Sequence, residues 1–110
     1  MQKYIKLFDQ IQKINQKHDL SPNEINLLNS TAKAHFSNEV IFIGDLIYQN
    51  NIAAQATLHK ALKKLVDKKL LSLKVQKDDV YHKRVMLTKP SLEHFKRLDR
   101  VMNLTLEKSS

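Results

Sequence analysis

The fold is decided by residues 45–75, which read DLIYQNNIAAQATLHKALKKLVDKKLLSLKV. Apolar residues in the middle of this stretch recur at spacings of three and four, which predicts a helix over residues 54–68. The predicted inner face holds Leu58, Ala61, Leu62 and Leu65, and the outer face holds Thr57, Lys60, Lys63, Lys64 and Asp67. A shorter helix carrying Leu46, Ile47 and Tyr48 is expected before it, with Asp45 as its cap. Asn50-Asn51 is expected to end that helix, because Asn tolerates left-handed backbone. Residues 45–68 are thus a predicted helix-turn-helix.

A β-hairpin is predicted directly after this unit, over residues 71–88. Leu71, Leu73 and Val75 alternate with polar residues, so the period changes from 3.6 to 2. A turn is expected at Lys77-Asp78-Asp79, followed by a second run whose Tyr81, Lys83, Val85 and Leu87 share a face. The residues expected to cover the core are Leu73, Val75, Val85 and Leu87.

The segments before residue 45 predict two helices and a short strand. Residues 3–17 have an apolar stripe made of Tyr4, Leu7, Phe8, Ile11 and Ile14. His18-Asp19-Leu20 interrupts that pattern, and Ser21-Pro22-Asn23-Glu24 has the features of a helix start, with a capping Ser, a Pro in the first turn and a Glu that can reach back. The helix that begins there is expected to end near Ser37-Asn38 and to bury Ile25, Leu28, Ala32 and Phe36. Val40-Ile41-Phe42-Ile43 is the predicted short strand.

A last amphipathic helix is predicted over residues 91–106. Its apolar stripe holds Leu92, Phe95, Leu98, Met102 and Leu106. A chain of 110 residues can build one modest core, so we expect a single domain over residues 1–110. The expected class is mainly α with a small β-hairpin wing (α+β), a winged helix-turn-helix.

Composition excludes several classes of protein. The chain has no Cys, so it can form neither disulfides nor a thiolate metal site. The first residues, MQKYIKLFDQIQKINQ, carry charges throughout, which predicts neither a signal peptide nor a membrane span. We therefore expect a cytoplasmic protein that does not associate with membranes.

The positive charge is concentrated in the C-terminal part of the chain. Residues 60–100 contain 13 Lys and Arg against five Asp and Glu, whereas the remainder has six of each, so this region carries the whole net charge of +8. Such a region attracts polyanions, with nucleic acid as the first candidate. The alternative is a solvated, Lys-rich surface without a partner.

The helix-turn-helix and the wing place chemistry suited to double-stranded DNA on adjacent elements. A helix over residues 54–68 can enter the major groove and present its first turns to base edges. The wing, residues 72–87, can lie along the flanking backbone or minor groove. The candidate contact residues are Gln55, Ala56, Thr57, His59, Lys60, Lys63, Lys64, Lys77, His82, Lys83 and Arg84. The competing interpretation is a core helix that merely has a solvated Lys face.

The stretch DLIYQNNIAAQATLHKALKKLVDKKLL, with the hairpin that ends VMLT, resembles the winged-helix core of MarR-type regulators, and the short chain is similar to the SarA-like branch. The resemblance covers about residues 20–100. It implies a homodimer held by the terminal helices, 3–17 and 91–106. Asp79 and Leu87-Thr88 match the family's wing, but Tyr81 stands where an Arg is usual, so the contact is expected to move to Lys83 or Arg84. Lys69 replaces the usual helix-ending Gly.

Enzyme function has little support in the sequence. The five His residues show no metal-ligand spacing, and the single Gly excludes a Gly-rich phosphate loop. We therefore predict no catalytic residue, no metal and no cofactor, and the sequence identifies no small-molecule effector. Two alternatives to a transcription regulator stay open: a winged helix of plasmid or phage replication or partition, and a winged helix used for protein–protein contact.

Overall fold

The structure, a computed structural model, describes residues 2–48, 53–75 and 83–107. The elements in those ranges are α1 (Gln2–Lys17), α2 (Pro22–Phe36), β1 (Ile41–Phe42), α3 (Ile43–Ile47), α4 (Gln55–Asp67), β2 (Leu71–Lys74), β3 (Arg84–Leu87) and α5 (Lys89–Glu107). Their order confirms the predicted winged helix-turn-helix. The expected turns at Asn50-Asn51 and Lys77-Asp78-Asp79, and Tyr81, lie outside the described residues.

The core lies between α2, α3, α4 and the inner face of the sheet. The predicted inner face of α4 is confirmed, because all four of its residues are buried. The predicted outer face is exposed along its whole length. The buried side chains of the inner face pack with Leu27 and Leu28 of α2 and with Leu46 and Ile47 of α3. They also pack with Leu70 and with Leu71, Val85 and Leu87 of the hairpin.

The sheet has three antiparallel strands, with β3 in the middle and β1 as a further edge strand. Leu73 pairs with Val85, and Lys74 pairs with Arg84. The expectation that Val75 covers the core is wrong, since it is 60% exposed. The reason is that β2 ends at Lys74, so the sheet's alternation no longer directs the next side chain inward.

Helix α2 begins as its sequence predicts. Ser21 Oγ accepts the Glu24 N–H at 3.2 Å, and Glu24 Oε1 accepts the Ser21 N–H at 3.3 Å. Its buried face is turned slightly from the predicted one: Leu28 and Ala32 are buried, but Phe36 is 62% exposed. Phe36 is the last residue of the helix, and its ring contacts Phe95 of α5 instead of the core.

Helix α3 starts earlier than predicted. The strand is limited to Ile41–Phe42, and Ile43 already belongs to the helix and is buried. Asp45 is therefore not the capping residue; it lies in the first turn, where its carboxylate accepts the Phe42 N–H at 2.9 Å. A carboxylate in the first turn still stabilises the helix start, because unpaired N–H groups point toward it.

The two terminal helices, α1 and α5, pack against each other. No residue of α1 is fully buried, although its stripe residues Leu7, Ile11 and Ile14 are half-buried. Tyr4 and Phe8, on the same stripe, are exposed and their rings stack with centroids 6.1 Å apart. One chain alone therefore leaves much of this apolar stripe uncovered.

Candidate nucleic-acid interface

The outer face of α4 carries the sequence-predicted candidates on one continuous surface. All seven of them on this helix are exposed: Gln55, Ala56, Thr57, His59, Lys60, Lys63 and Lys64. The face has this composition because the apolar residues are confined to the opposite side, where they anchor the helix to α2 and α3. The polar and cationic side chains thus point outward because the apolar side of the helix is buried.

A tight corner ends α4 and turns the chain into the hairpin. Lys69 has a φ of 62°, the left-handed region that usually favours Gly. Its N–H donates to the Val66 carbonyl, and the Leu70 N–H donates to the Leu65 carbonyl at 3.0 Å. Leu70 is then fully buried. The corner keeps its conformation without Gly because these bonds and the burial of Leu70 hold it.

Lys68, at the end of α4, forms an ion pair that the sequence did not reveal. Its Nζ lies 2.6 Å from Glu24 Oε2 and donates to the Asp19 carbonyl at 2.7 Å. Burial by itself would raise the pKa of the Glu24 carboxyl, but the hydrogen bonds from Lys68 and Ser21 outweigh it and the pKa is lowered. The partners are 44 positions apart, so no local pattern could have indicated the pair.

The described part of the wing holds two of its four candidates. Arg84 is half-buried in the central strand, where it pairs with Phe42 on one side and Lys74 on the other. It borders a small cleft with His35, near the end of α2, and Glu39, in the segment after that helix. Lys83 is half-buried, and its carbonyl accepts the Ile43 N–H at 3.0 Å. The candidates Lys77 and His82 lie outside the described residues.

The described side chains that could bind a metal are dispersed. Within residues 2–48, 53–75 and 83–107, no group of three or more His, Asp or Glu side chains could hold a metal ion. Among the four His residues that the structure describes, His94 is the buried one, and burial, with the charges of His18 and Arg97, lowers its pKa to about 4. Its position on the apolar side of α5 was not evident from the sequence.

Solved structures with the same arrangement of elements are regulators. MepR of S. aureus, solved as a DNA complex, is 13% identical with a TM-score of 0.75, covering 96% of this chain and 83% of MepR. The regulator Tm0710 of Thermotoga maritima is 14% identical with a TM-score of 0.72, covering 94% of this chain and 70% of its own. MarR of Staphylococcus aureus, in complex with salicylate and kanamycin, is 19% identical with a TM-score of 0.69, covering 96% and 65%.

The chain has the MarR-type winged-helix fold. In this fold, α3 and α4 are the helix-turn-helix, β2 and β3 are the wing, and α1 and α5 are the terminal helices. The similarity is one of structure: the sequence matches no protein-family model and none of the curated proteins compared with it. In the described part of this winged helix, no helix is long and apolar enough to cross a membrane.

Proposed function

We propose that this winged-helix protein is a sequence-specific, double-stranded DNA-binding transcription regulator that acts as a homodimer. Helix α4 lies in the major groove, and the basic wing lies on the flanking backbone or minor groove. The role requires no catalytic residue and no cofactor. A cytoplasmic location belongs to the same proposal.

The outer face of α4 is the observation that carries the proposal. Gln55 can form paired hydrogen bonds with adenine, and His59 and Lys60 can donate to the acceptors of guanine. The methyl groups of Ala56 and Thr57 can contact the thymine methyl group. Lys63 and Lys64 lie farther along the helix and suit phosphates, which fix register without reading sequence. All these side chains are exposed on a helix whose other side is buried.

The MepR–DNA complex supports the same assignment, because its fold covers nearly all of this chain. The excess positive charge of residues 60–100 coincides with α4, the wing and the start of α5. A protein–protein winged helix would have no need for Lys60, Lys63 and Lys64 on one face. No described feature favours replication or partition over promoter regulation, so the regulator is the function we put forward.

The dimer is supported by the uncovered apolar residues of the terminal helices. Tyr4, Ile5 and Phe8 of α1, and Met102 and Leu104 of α5, are each more than 40% exposed. Large apolar patches on a single chain mark contact surfaces, and a two-fold axis makes such a patch self-complementary. A dimer joined there would present two copies of α4 to one side of a duplex.

Selection from a random pool of duplex DNA tests the proposal. Wild-type protein should enrich an inverted repeat whose half-sites are about one helical turn, roughly 10 base pairs, apart. The triple variant Gln55→Ala/Thr57→Ala/Lys60→Ala should lose that enrichment while remaining folded. A wild-type protein that enriches no sequence overturns the proposed function. Enrichment of the same sequences by the triple variant overturns the assignment of α4 as the reading helix.

A further inference from the structure

The corner that follows α4 is hydrogen-bonded to the loop after α1 and to the residue before α5. Helix α4 packs mainly against α2, α3 and β2, whereas α1 packs against α5. The chain therefore has one part that contains α4, to which the proposed function assigns DNA reading, and a pair of terminal helices, to which it assigns the dimer contact. The two residues after α4 contact segments next to these terminal helices: the Lys68 side chain donates to the loop after α1, and the Lys69 carbonyl accepts a bond from the residue before α5.

The first of these contacts runs from Lys68 to the loop between α1 and α2. The Lys68 ammonium donates to the carbonyl of Asp19, two residues after α1, and to the Glu24 carboxylate in the first turn of α2. Asp19 has a φ of 51°, and Glu24 is 2% exposed. The ammonium is thus fixed between two defined acceptors, and a charge-assisted bond to a buried carboxylate is among the stronger hydrogen bonds in proteins.

The second of these contacts runs from Lys69 to the residue before α5. Thr88 Oγ1 donates to the Lys69 carbonyl at 2.6 Å and accepts the Ser91 N–H at 3.3 Å. Ser91 is fully buried, and its hydroxyl accepts the Thr88 N–H at 2.7 Å. One hydroxyl group, that of Thr88, therefore both caps α5 and holds the corner of α4.

We propose that this corner is a positioning joint that fixes the recognition helix relative to the dimer helices, with Lys68 and Thr88 as its positioning residues. The inference rests on the proposed homodimer and goes beyond it, because it assigns the separation of the two recognition helices to two named contacts. Neither residue needs to touch DNA to act in this way.

A small rotation at the joint produces a larger displacement at the far end of α4. Helix α4 has 13 residues and extends about 20 Å from its first turn to the corner. A rotation of about 5° at the corner moves the first turn by about 1.7 Å, which is enough to misalign a hydrogen bond to a base edge. In a dimer, both copies of α4 can rotate in this way, so the distribution of distances between the two reading faces becomes broader.

The separation can be measured without DNA. The chain has no Cys, so Lys63→Cys, on the exposed face of α4, gives a single site for a spin label in each protomer. Pulsed electron resonance then reports the distribution of distances between the two recognition helices of the dimer. The variants to compare are Thr88→Val, which removes the hydroxyl, Thr88→Ser, which keeps it, and Glu24→Gln/Lys68→Met, which removes both charges together.

A matched control is available within α2. Thr31 is buried, and its Oγ1 donates to the Leu27 carbonyl at 2.9 Å. Thr31→Val therefore replaces a hydroxyl with a methyl group, as Thr88→Val does, and removes one hydrogen bond at a site away from the joint. Thr88→Val removes the bond to the Lys69 carbonyl and also the bond from the Ser91 N–H. The double variant guards against poor folding of Thr88→Val, because uncharged groups that replace a buried ion pair are often tolerated.

The labelled Lys63→Cys protein, alone or combined with Thr31→Val or Thr88→Ser, is expected to give one narrow distance distribution. Thr88→Val and Glu24→Gln/Lys68→Met are expected to give clearly broader ones. The inference is overturned if Thr88→Val and Glu24→Gln/Lys68→Met keep the distribution width of the labelled Lys63→Cys protein. It is also overturned if Thr88→Ser broadens the distribution as much as Thr88→Val. Absence of dipolar coupling in the labelled Lys63→Cys protein without further substitution is a different result, which shows that no dimer forms and overturns the proposed dimer together with the inference.

Discussion

The ring of His94 lies edge-on to the ring of His18, with the two centroids 5.2 Å apart. His94 belongs to α5 and is 2% exposed, and its Nδ1 has no hydrogen-bond partner among the described residues. Burial, the charge of His18 and the charge of Arg97 lower the pKa of His94 to about 4. Burial also lowers the pKa of His18, as do the charges of Lys17, Arg97 and Lys68. The His94 imidazole is therefore neutral at pH 7.

Acid is expected to destabilise the protein through this pair. The unfolded chain binds the His94 proton near pH 6.5 and the folded chain only near pH 4, so between those values the unfolded state binds more protons. The free energy of unfolding should then fall by about 2 kcal/mol between pH 7.5 and pH 5 through His94 alone. His94→Phe should remove that part of the dependence, as measured by urea unfolding at the two pH values. An unchanged dependence in the variant would contradict the assignment.

The exposed stripe of α1 leads to a prediction about assembly. Phe8→Gln should weaken the dimer, because two copies of an apolar ring lose their burial and each contributes about 1.5–3 kcal/mol. The dimer dissociation constant should rise by a factor of about a hundred or more. Lys6→Gln, on the opposite face of the same helix, should have little effect. Sedimentation of both variants over a concentration series decides the matter; equal dissociation constants would exclude this face as the interface.

The fold was more predictable from the sequence than the contacts that join its parts. Helices α2 and α4 have regular apolar spacing, and α2 also has a capping box, so local patterns specify where they lie. The prediction that Phe36 and Val75 are buried is wrong. Phe36 is the last residue of α2 and Val75 follows the last residue of β2, and at such positions periodicity no longer determines burial. The pair of Lys68 and Glu24, the bond from Thr88 to Lys69, and the burial of His94 depend on tertiary packing, and no local pattern contains them.

The two kinds of α4 residue should differ in their effect on specificity. Lys63→Ala and Lys64→Ala should weaken binding to all duplexes about equally, because phosphate contacts carry no sequence information. Gln55→Ala, Thr57→Ala or Lys60→Ala should instead relax preference at particular base pairs, by about 1–3 kcal/mol where a base contact exists. Affinities for a selected site and its single-base variants measure both effects. The opposite division would show that the helix is rotated in the groove.

Arg84 allows a similar test of the wing. We expect Arg84→Ala to lower DNA affinity and the dependence of affinity on salt, since a planar guanidinium suits a phosphate or a narrow minor groove. The melting temperature and the dimer should be little changed. The competing account, in which Arg84 only steadies the turn through Asp78 or Asp79, predicts similar small losses of stability for Asp79→Ala and Arg84→Ala, with DNA affinity retained. Melting temperatures and affinities of both variants separate the two.

The most direct test of DNA binding is the dependence of duplex affinity on salt. A dimer that neutralises on the order of 6–10 phosphates should lose about 10³–10⁵-fold in affinity between 50 and 200 mM salt. The measurement needs only wild-type protein and a labelled duplex, titrated by fluorescence anisotropy at several salt concentrations. A steep linear fall of the logarithm of the association constant with the logarithm of salt concentration is the predicted result. Binding that is absent at 50 mM salt, or that does not change with salt, would contradict the account.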